Sequence, residues 1–231
     1  MDFSLEPPIG SNVAHRMAGI PAGGGTLVGD ITIPPESAGL VIFAHGSGSS
    51  RLSPRNRFVA RMLSHSKFAT LLVDLLTPEE EAVDAETGHL RFNIDLLANR
   101  LAAITKWVQA QPDLAGYKIG YFGSSTGGAA ALVAAARHPG WVDAVVSRGG
   151  RPDLARGSLA HVQAPTLLIV GELDDIVLDL NRWALIRLKC AKKLVTIPGA
   201  THLFEEPGCL QQVAHEAAEW FSTYLVRAGV H

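Results

Sequence analysis

The chain has 231 residues, of which 47% are hydrophobic and 18% charged, with a formal net charge of −2. That length and apolar content suffice for one sizeable core, and an α/β sheet of this size is normally a single domain, here residues 1–231. Acids and bases are interspersed and the longest apolar runs are of strand length, which argues against electrostatic capture of nucleic acid, against an anionic membrane surface and against a membrane-spanning helix.

The opening stretch, MDFSLEPPIGSN, lacks the basic-then-apolar profile of a signal peptide, so the expected compartment is the cytoplasm. After it, 13–20 and 26–33 flank Pro21-Ala22-Gly23-Gly24-Gly25, which predicts a β-hairpin leading into a sheet. Short runs rich in branched residues then recur at 40–44 (LVIFA), 69–75 (ATLLVDL), 118–122 (KIGYF), 142–147 (VDAVVS), 166–170 (TLLIV) and 193–197 (KLVTI), and these read as buried parallel strands. Helical segments lie between them, at 55–65, 95–109, 125–137, 179–188 and 209–226, the last with helical spacing through Val213, Ala217, Trp220 and Leu225. Strands alternating with helices predict a mostly parallel sheet covered on both faces. The acidic interval 77–90 (TPEEEAVDAETGHL) reads as a solvated loop, with a flap over a site as the alternative. Cys190 and Cys209 are too few for a disulfide framework and match no metal spacing, so both read as structural or incidental thiols.

Ligands of an open parallel sheet sit at the carboxyl ends of its strands, and the residues there carry the chemistry. After KIGYF comes Gly123-Ser124-Ser125-Thr126-Gly127, followed at once by an alanine-rich helix, the strand-turn-helix context of a nucleophile elbow. In so sharp a turn the residues two before and two after the nucleophile crowd their surroundings. For Ser125 those positions are Gly123 and Gly127; for Ser124 they would be Phe122 and Thr126, which are too large. The spacing therefore selects Ser125. A phosphate cradle would need a lysine after the glycines, where this chain has alanines.

A serine needs a base and an acid to orient that base. Both appear in chain order just past later strands: Gly171-Glu172-Leu173-Asp174-Asp175-Ile176-Val177, then Pro198-Gly199-Ala200-Thr201-His202. Asp174, three residues before Val177, is preferred as the acid, leaving Asp175 for the cap of the following segment. His202 is preferred to the other eight histidines, which fall on helices, loops, the hairpin or the tail, or, as His45 does, brace a loop. The helix containing His215-Glu216 resembles a zinc helix but lacks the second histidine, and no metal is expected. The turn His45-Gly46-Ser47-Gly48-Ser49-Ser50 follows the strand LVIFA, and the backbone N–H groups of Ser47 and Thr126 are the expected oxyanion hole.

Taken together, HGSGSS, GSSTG, GELDDIV and GATHLFEEPG resemble the α/β-hydrolase superfamily and, more narrowly, its dienelactone hydrolase-like branch, over nearly the whole chain. The resemblance implies an α/β-hydrolase fold with an eight-stranded, mostly parallel sheet, hydrolysis of esters or related acyl bonds, and no cofactor. The family's nucleophile is a cysteine where this chain has Ser125, which points to a serine carboxylesterase rather than a dienelactone hydrolase proper. The same triad would also serve a perhydrolase or haloperoxidase-like reaction, and a scaffold protein that had lost the chemistry would show an eroded triad. Stretches such as HGSGSSRLSPRN and SRGGRPDLA are similar to members that look like partners or fusions of phosphoribosyltransferase-type domains.

The interval 148–164, where many relatives insert a cap, is too short for a folded one, so the site is expected to be open and to suit small or polar esters. Arg148 and Arg151, just past a strand, would hold an anionic substrate group or else pair with loop acids such as Asp153. Arg51, Arg55 and Arg57 would anchor the oxyanion loop or cap its helix.

Overall fold

A two-residue turn at Gly23 and Gly24 joins β1 (Ala14–Ala22) to β2 (Gly25–Ile33), the expected antiparallel hairpin, in the computed structural model, which describes residues 13–226. The stretch MDFSLEPPIGSN and His231 lie outside the described residues. The branched runs form β3 (Gly39–Ala44), β4 (Phe68–Val73), β5 (Ile119–Ser124), β6 (Ala144–Arg148), β7 (Thr166–Gly171) and β8 (Lys192–Ile197). The order across the eight-stranded sheet is β1-β2-β4-β3-β5-β6-β7-β8. Only the pairings that involve β2 are antiparallel. This is the α/β-hydrolase fold.

The inner strands are apolar along their whole length because both of their faces are covered. In β3, Leu40, Ile42 and Ala44 enter one core layer, while Val41 and Phe43 enter the other. The first layer is closed by α3 (Ile94–Ala110), α4 (Thr126–Arg137) and α5 (Asp175–Arg187). The second is closed by α1 (Pro54–His65) and α6 (Cys209–Leu225) through Phe58, Leu63, Val213 and Phe221. At the far edge β8 exposes Lys192 and Lys193, charges that oppose further strand pairing. Among the described residues no helix is long and apolar enough to cross a membrane. Cys190 is half-buried and Cys209 buried, and both are free thiols.

The interval 77–90 corrects the sequence expectation: most of it is a helix, α2 (Pro78–Thr87), not a solvated loop. Its ends are specified locally. The Thr77 hydroxyl accepts from the Glu80 N–H, the Glu80 carboxylate accepts from the Thr77 N–H, Pro78 opens the first turn and Gly88 closes the last at φ 66°. The acidic run Glu79, Glu80 and Glu81 lies at the positive end of the helix dipole. The helix is also tethered. Arg100, buried on α3, reaches Glu80 at 2.5 Å, and buried Asp84 accepts from the Leu90 and Arg91 N–H groups and from Arg91 Nε. The other departure is α5, which begins at Asp175 rather than 179 because Val177 and Leu178 pack on Val170 at the end of β7. The connection from β6 to β7 holds two short 3-10 turns, Pro152–Ala155 and Leu159–His161, where a cap would stand.

Thr77→Ala removes the cap of α2 and should cost about 1 kcal/mol. Hydrogen exchange should speed up across 78–87 while the central strands stay protected; unchanged exchange there would show that the capping box does not hold this helix.

Candidate active site

The elbow is built by steric exclusion. Ser125 sits at φ 51° between the end of β5 and the start of α4, a conformation L-residues adopt only when their surroundings enforce it. A Cβ on Gly123 would lie 2.5 Å from the Gly128 Cα, and one on Gly127 would lie 2.2 Å from the Ala44 carbonyl oxygen. Only glycine lets β5, α4 and the end of β3 approach so closely. Ser124, the residue passed over, turns into the structure, where its hydroxyl donates to Asn56 Oδ1 at 3.0 Å. The segment after β6 fastens the elbow: the Ser125 N–H donates to the Arg148 carbonyl at 3.2 Å, and the Arg151 N–H donates to the Ser125 carbonyl at 3.1 Å.

The acid and histidine loops are stapled together before any side chain is considered. The Glu172 N–H donates to Ile197 and the Leu173 N–H to Ala200, while the Glu172 carboxylate accepts from the Gly199 N–H at 2.8 Å. Asp174 is the N-cap residue of α5 but does not cap it, and its carboxylate instead accepts from His202 Nδ1 at 2.6 Å. The Asp174 side chain is 14% exposed and that of His202 is 40% exposed, so the pair is sheltered at its acid end and open at the imidazole. Asp175 is the first residue of α5 and is exposed. Gly149 brings the β6 segment against the imidazole, since a Cβ there would stand 3.4 Å from His202 Cε1. Among the described residues no hydrogen bond joins the Ser125 hydroxyl to His202, so the structure places the two loops side by side without closing that last contact.

On the other flank Gly46 packs on the elbow, where an added Cβ would stand 3.1 Å from the Ser125 Cβ. Neither the Ser47 nor the Thr126 backbone N–H has an acceptor among the described residues. His45 fixes this turn. The Leu75 N–H donates to its Nε2 at 3.1 Å, so its proton is on Nδ1, which donates to the Gly46 carbonyl at 3.0 Å. Burial pushes the His45 pKa down from the ordinary 6.5, with the Gly46 hydrogen bond and the nearby Asp74 charge opposing that shift. Arg51 anchors the same turn, its Nη1 donating to Asp74 at 2.7 Å and its Nε lying 3.3 Å from Asp30. The two arginines at and after the end of β6 part company. Arg151 donates to both oxygens of Asp153 at 2.9 and 2.8 Å, the pairing that competes with a substrate role, whereas buried Arg148 leaves Nε and Nη1 without partners and lies 5.8 Å above the Phe204 ring.

A cavity of about 530 Å³ opens beside the elbow, against the turn after β3. Ser47, Ser53, Arg55, Glu81, Arg91 and Thr126 are among its walls, so α2 roofs it. The Asn56–Ser124 bond and the Glu172 staple join positions far apart in the chain with nothing local to mark them, and the Asp84–Arg91 clamp depends on α2, which carries no apolar stripe.

The description "Dienelactone hydrolase family" matches residues 32–224. Proteins from two strains of Mycobacterium tuberculosis, provisionally named phosphoribosyl transferases, are each 53% identical over 232 residues, covering 99% of this chain and 50% of their own. The chain thus spans about half the length of the curated relatives it matches. A dienelactone hydrolase from Anabaena variabilis is 56% identical, with a TM-score of 0.91 over 92% of this chain and 99% of that one. Est1E from Butyrivibrio proteoclasticus shares the fold at 18% identity, with a TM-score of 0.74 over 90% of this chain and 98% of its own.

Because the folded-state pKa of His45 is depressed, the unfolded chain takes up the proton first. This group's contribution to stability is complete above pH 6.5 and is lost as pH falls from there through the lower folded-state value. His45→Gln should cost about 1–3 kcal/mol at pH 8 by leaving the Leu75 N–H poorly paired. It should also lose less further stability than the wild type between pH 8 and pH 5 in urea unfolding; equal losses would contradict the assignment.

Proposed function

The chain belongs to the dienelactone hydrolase family, and from that premise we propose that it is a serine hydrolase cleaving small or polar carboxylic esters, or related acyl bonds, through an acyl-enzyme on Ser125. The observation that carries this reading is the 2.6 Å pairing of Asp174 with His202 Nδ1, on loops that flank a serine held at positive φ. In this proposal Asp174 fixes the imidazole tautomer, leaving Nε2 unprotonated to take the Ser125 proton as the hydroxyl attacks the ester carbonyl. The developing oxyanion is received by the free N–H groups of Ser47 and Thr126 at the N-terminus of α4. His202 then protonates the leaving alcohol, and water, activated in the same way, releases the acid.

The short turns between β6 and β7 support small, polar substrates, because they leave the imidazole open to water. We take residues 1–231 to act as one catalytic domain, and we assign the transferase name of the M. tuberculosis relatives to the half of those proteins that this chain does not span. Of the two arginines, we assign the holding of an anionic substrate group to Arg148 alone, since Arg151 is committed to Asp153. Cytoplasmic residence and action without a metal or cofactor belong to the same proposal.

Turnover of 4-nitrophenyl acetate should fall by at least about 10⁴-fold in Ser125→Ala, and by about 10³- to 10⁴-fold in Asp174→Asn, which presents the wrong tautomer to the serine. Ser124→Ala and Asp175→Asn should retain most of the activity. Steady-state kinetics on purified protein checks all four, and retained activity in Ser125→Ala would overturn the mechanism.

A further inference from the structure

The cavity beside the elbow is lined on one side by hydroxyls and a guanidinium with hydrogen-bond donors to spare. The Ser50 hydroxyl already accepts from the Leu52 N–H and the Ser53 hydroxyl from the Asn56 N–H, so the remaining capacity of each to donate points elsewhere. Thr126 is 3% exposed, lines the cavity, and its hydroxyl has no partner. Arg55 lines the cavity from the first turn of α1, with its Nη1 on exposed Glu205 at 2.6 Å and its buried Nε without an acceptor. Behind it Arg148 is 7% exposed and meets no carboxylate. Burial, and then repulsion from Arg55, lowers the Arg148 pKa to about 10. The two guanidinium groups repel each other close to the N-terminus of α1; Glu205 pairs with the outer nitrogen of Arg55, while buried Arg148 has no carboxylate partner among the described residues. Among the described residues, the one acid on the cavity wall without an ion-pair partner is Glu81 on α2, whose pKa is raised by burial first and then by Asp74, so it protonates more readily than an ordinary glutamate.

An acceptor-only group carrying negative charge is the ligand chemistry that these donors and charges have in common. We infer that Ser50, Ser53, Arg55 and Thr126, backed by Arg148, form a binding site for a phosphate-type oxyanion, and that the ester attacked by Ser125 carries such a group. A tetrahedral phosphate fits a wall whose donors come from several elements better than a planar carboxylate, which two parallel donors would satisfy. The site shares Thr126 with the oxyanion hole, so a single short molecule reaches both. The substrate half of this inference rests on the serine-hydrolase reading; the anion site does not.

Binding is tested on Ser125→Ala, where no turnover intervenes, by titrating inorganic phosphate in calorimetry at constant ionic strength, with chloride as control. Saturable phosphate binding, weakened at least about tenfold by adding Arg55→Gln, is expected. Arg148→Gln should weaken it as well, but that change removes a buried side chain and can unfold the chain, so Arg55→Gln at the partly exposed end of α1 carries the test. In the active protein, a 4-nitrophenyl ester whose acyl chain ends in phosphate should exceed its neutral counterpart in kcat/KM by at least about tenfold, and Arg55→Gln should remove that advantage. No saturable binding, binding undiminished by Arg55→Gln, or a carboxylate-ended ester outpacing the phosphate one would each overturn the site. Phosphate binding with no ester turned over would instead refute the serine-hydrolase reading and leave the anion site standing.

Discussion

The close approach of three chain segments around Ser125 is the constraint on which the rest of the site depends. The end of β5, the first turn of α4 and the carbonyls that end β3 pass so near one another that side chains at Gly123 and Gly127 are impossible. That crowding forces Ser125 to positive φ and lifts its side chain out of the turn. It also sets α4 against the turn after β3, and the Thr126 and Ser47 N–H groups, both on the wall of one cavity, have no acceptor among the described residues. The strain in the elbow is balanced by a neighbourhood that is almost wholly buried: β5 and the start of α4 are sealed on both sides of the sheet.

The remaining parts are delivered by loops whose backbones are fixed before their side chains meet. Glu172 and Leu173 donate across to the histidine loop, and Gly171 permits that crossing, since a Cβ there would lie 2.3 Å from the Ala200 carbonyl oxygen. Phe204, at φ 57° and fully buried, ties the far side of the histidine loop into the core under Arg148. Sheltering the acid while leaving the imidazole partly exposed keeps the carboxylate strongly coupled to Nδ1. His45 performs a corresponding task in the turn after β3 by holding one tautomer between two backbone groups.

Much of this was legible in the chain because the relevant signals are local. Fully buried strands read as uninterrupted branched runs, and 40–44, 118–122 and 166–170 differ from β3, β5 and β7 only at their ends. The choice of Ser125 over Ser124 followed from glycine spacing alone, and the structure turns Ser124 inward onto Asn56. Helix α2 was missed although Thr77-Pro78-Glu79-Glu80 carries a capping signal, because its acidic, weakly amphipathic sequence lacks the apolar stripe that marks a core-facing helix. Partners distant in sequence were not legible at all. The pairing with Asp153, two residues from Arg151, is offered by SRGGRPDLA itself, but nothing there says that Arg151 takes it while Arg148, at the end of β6, is buried against the Phe204 ring and finds no acid.

The central claim is that Ser125, rather than its neighbour or any other hydroxyl, is the activated nucleophile. Covalent labelling of the native protein with a fluorophosphonate, followed by peptide mass spectrometry, addresses it directly, since only a serine deprotonated by its base is phosphonylated rapidly. A single adduct is expected, on Ser125, and it should disappear in His202→Ala. An adduct on Ser124, or no adduct at all on the folded protein, would contradict it.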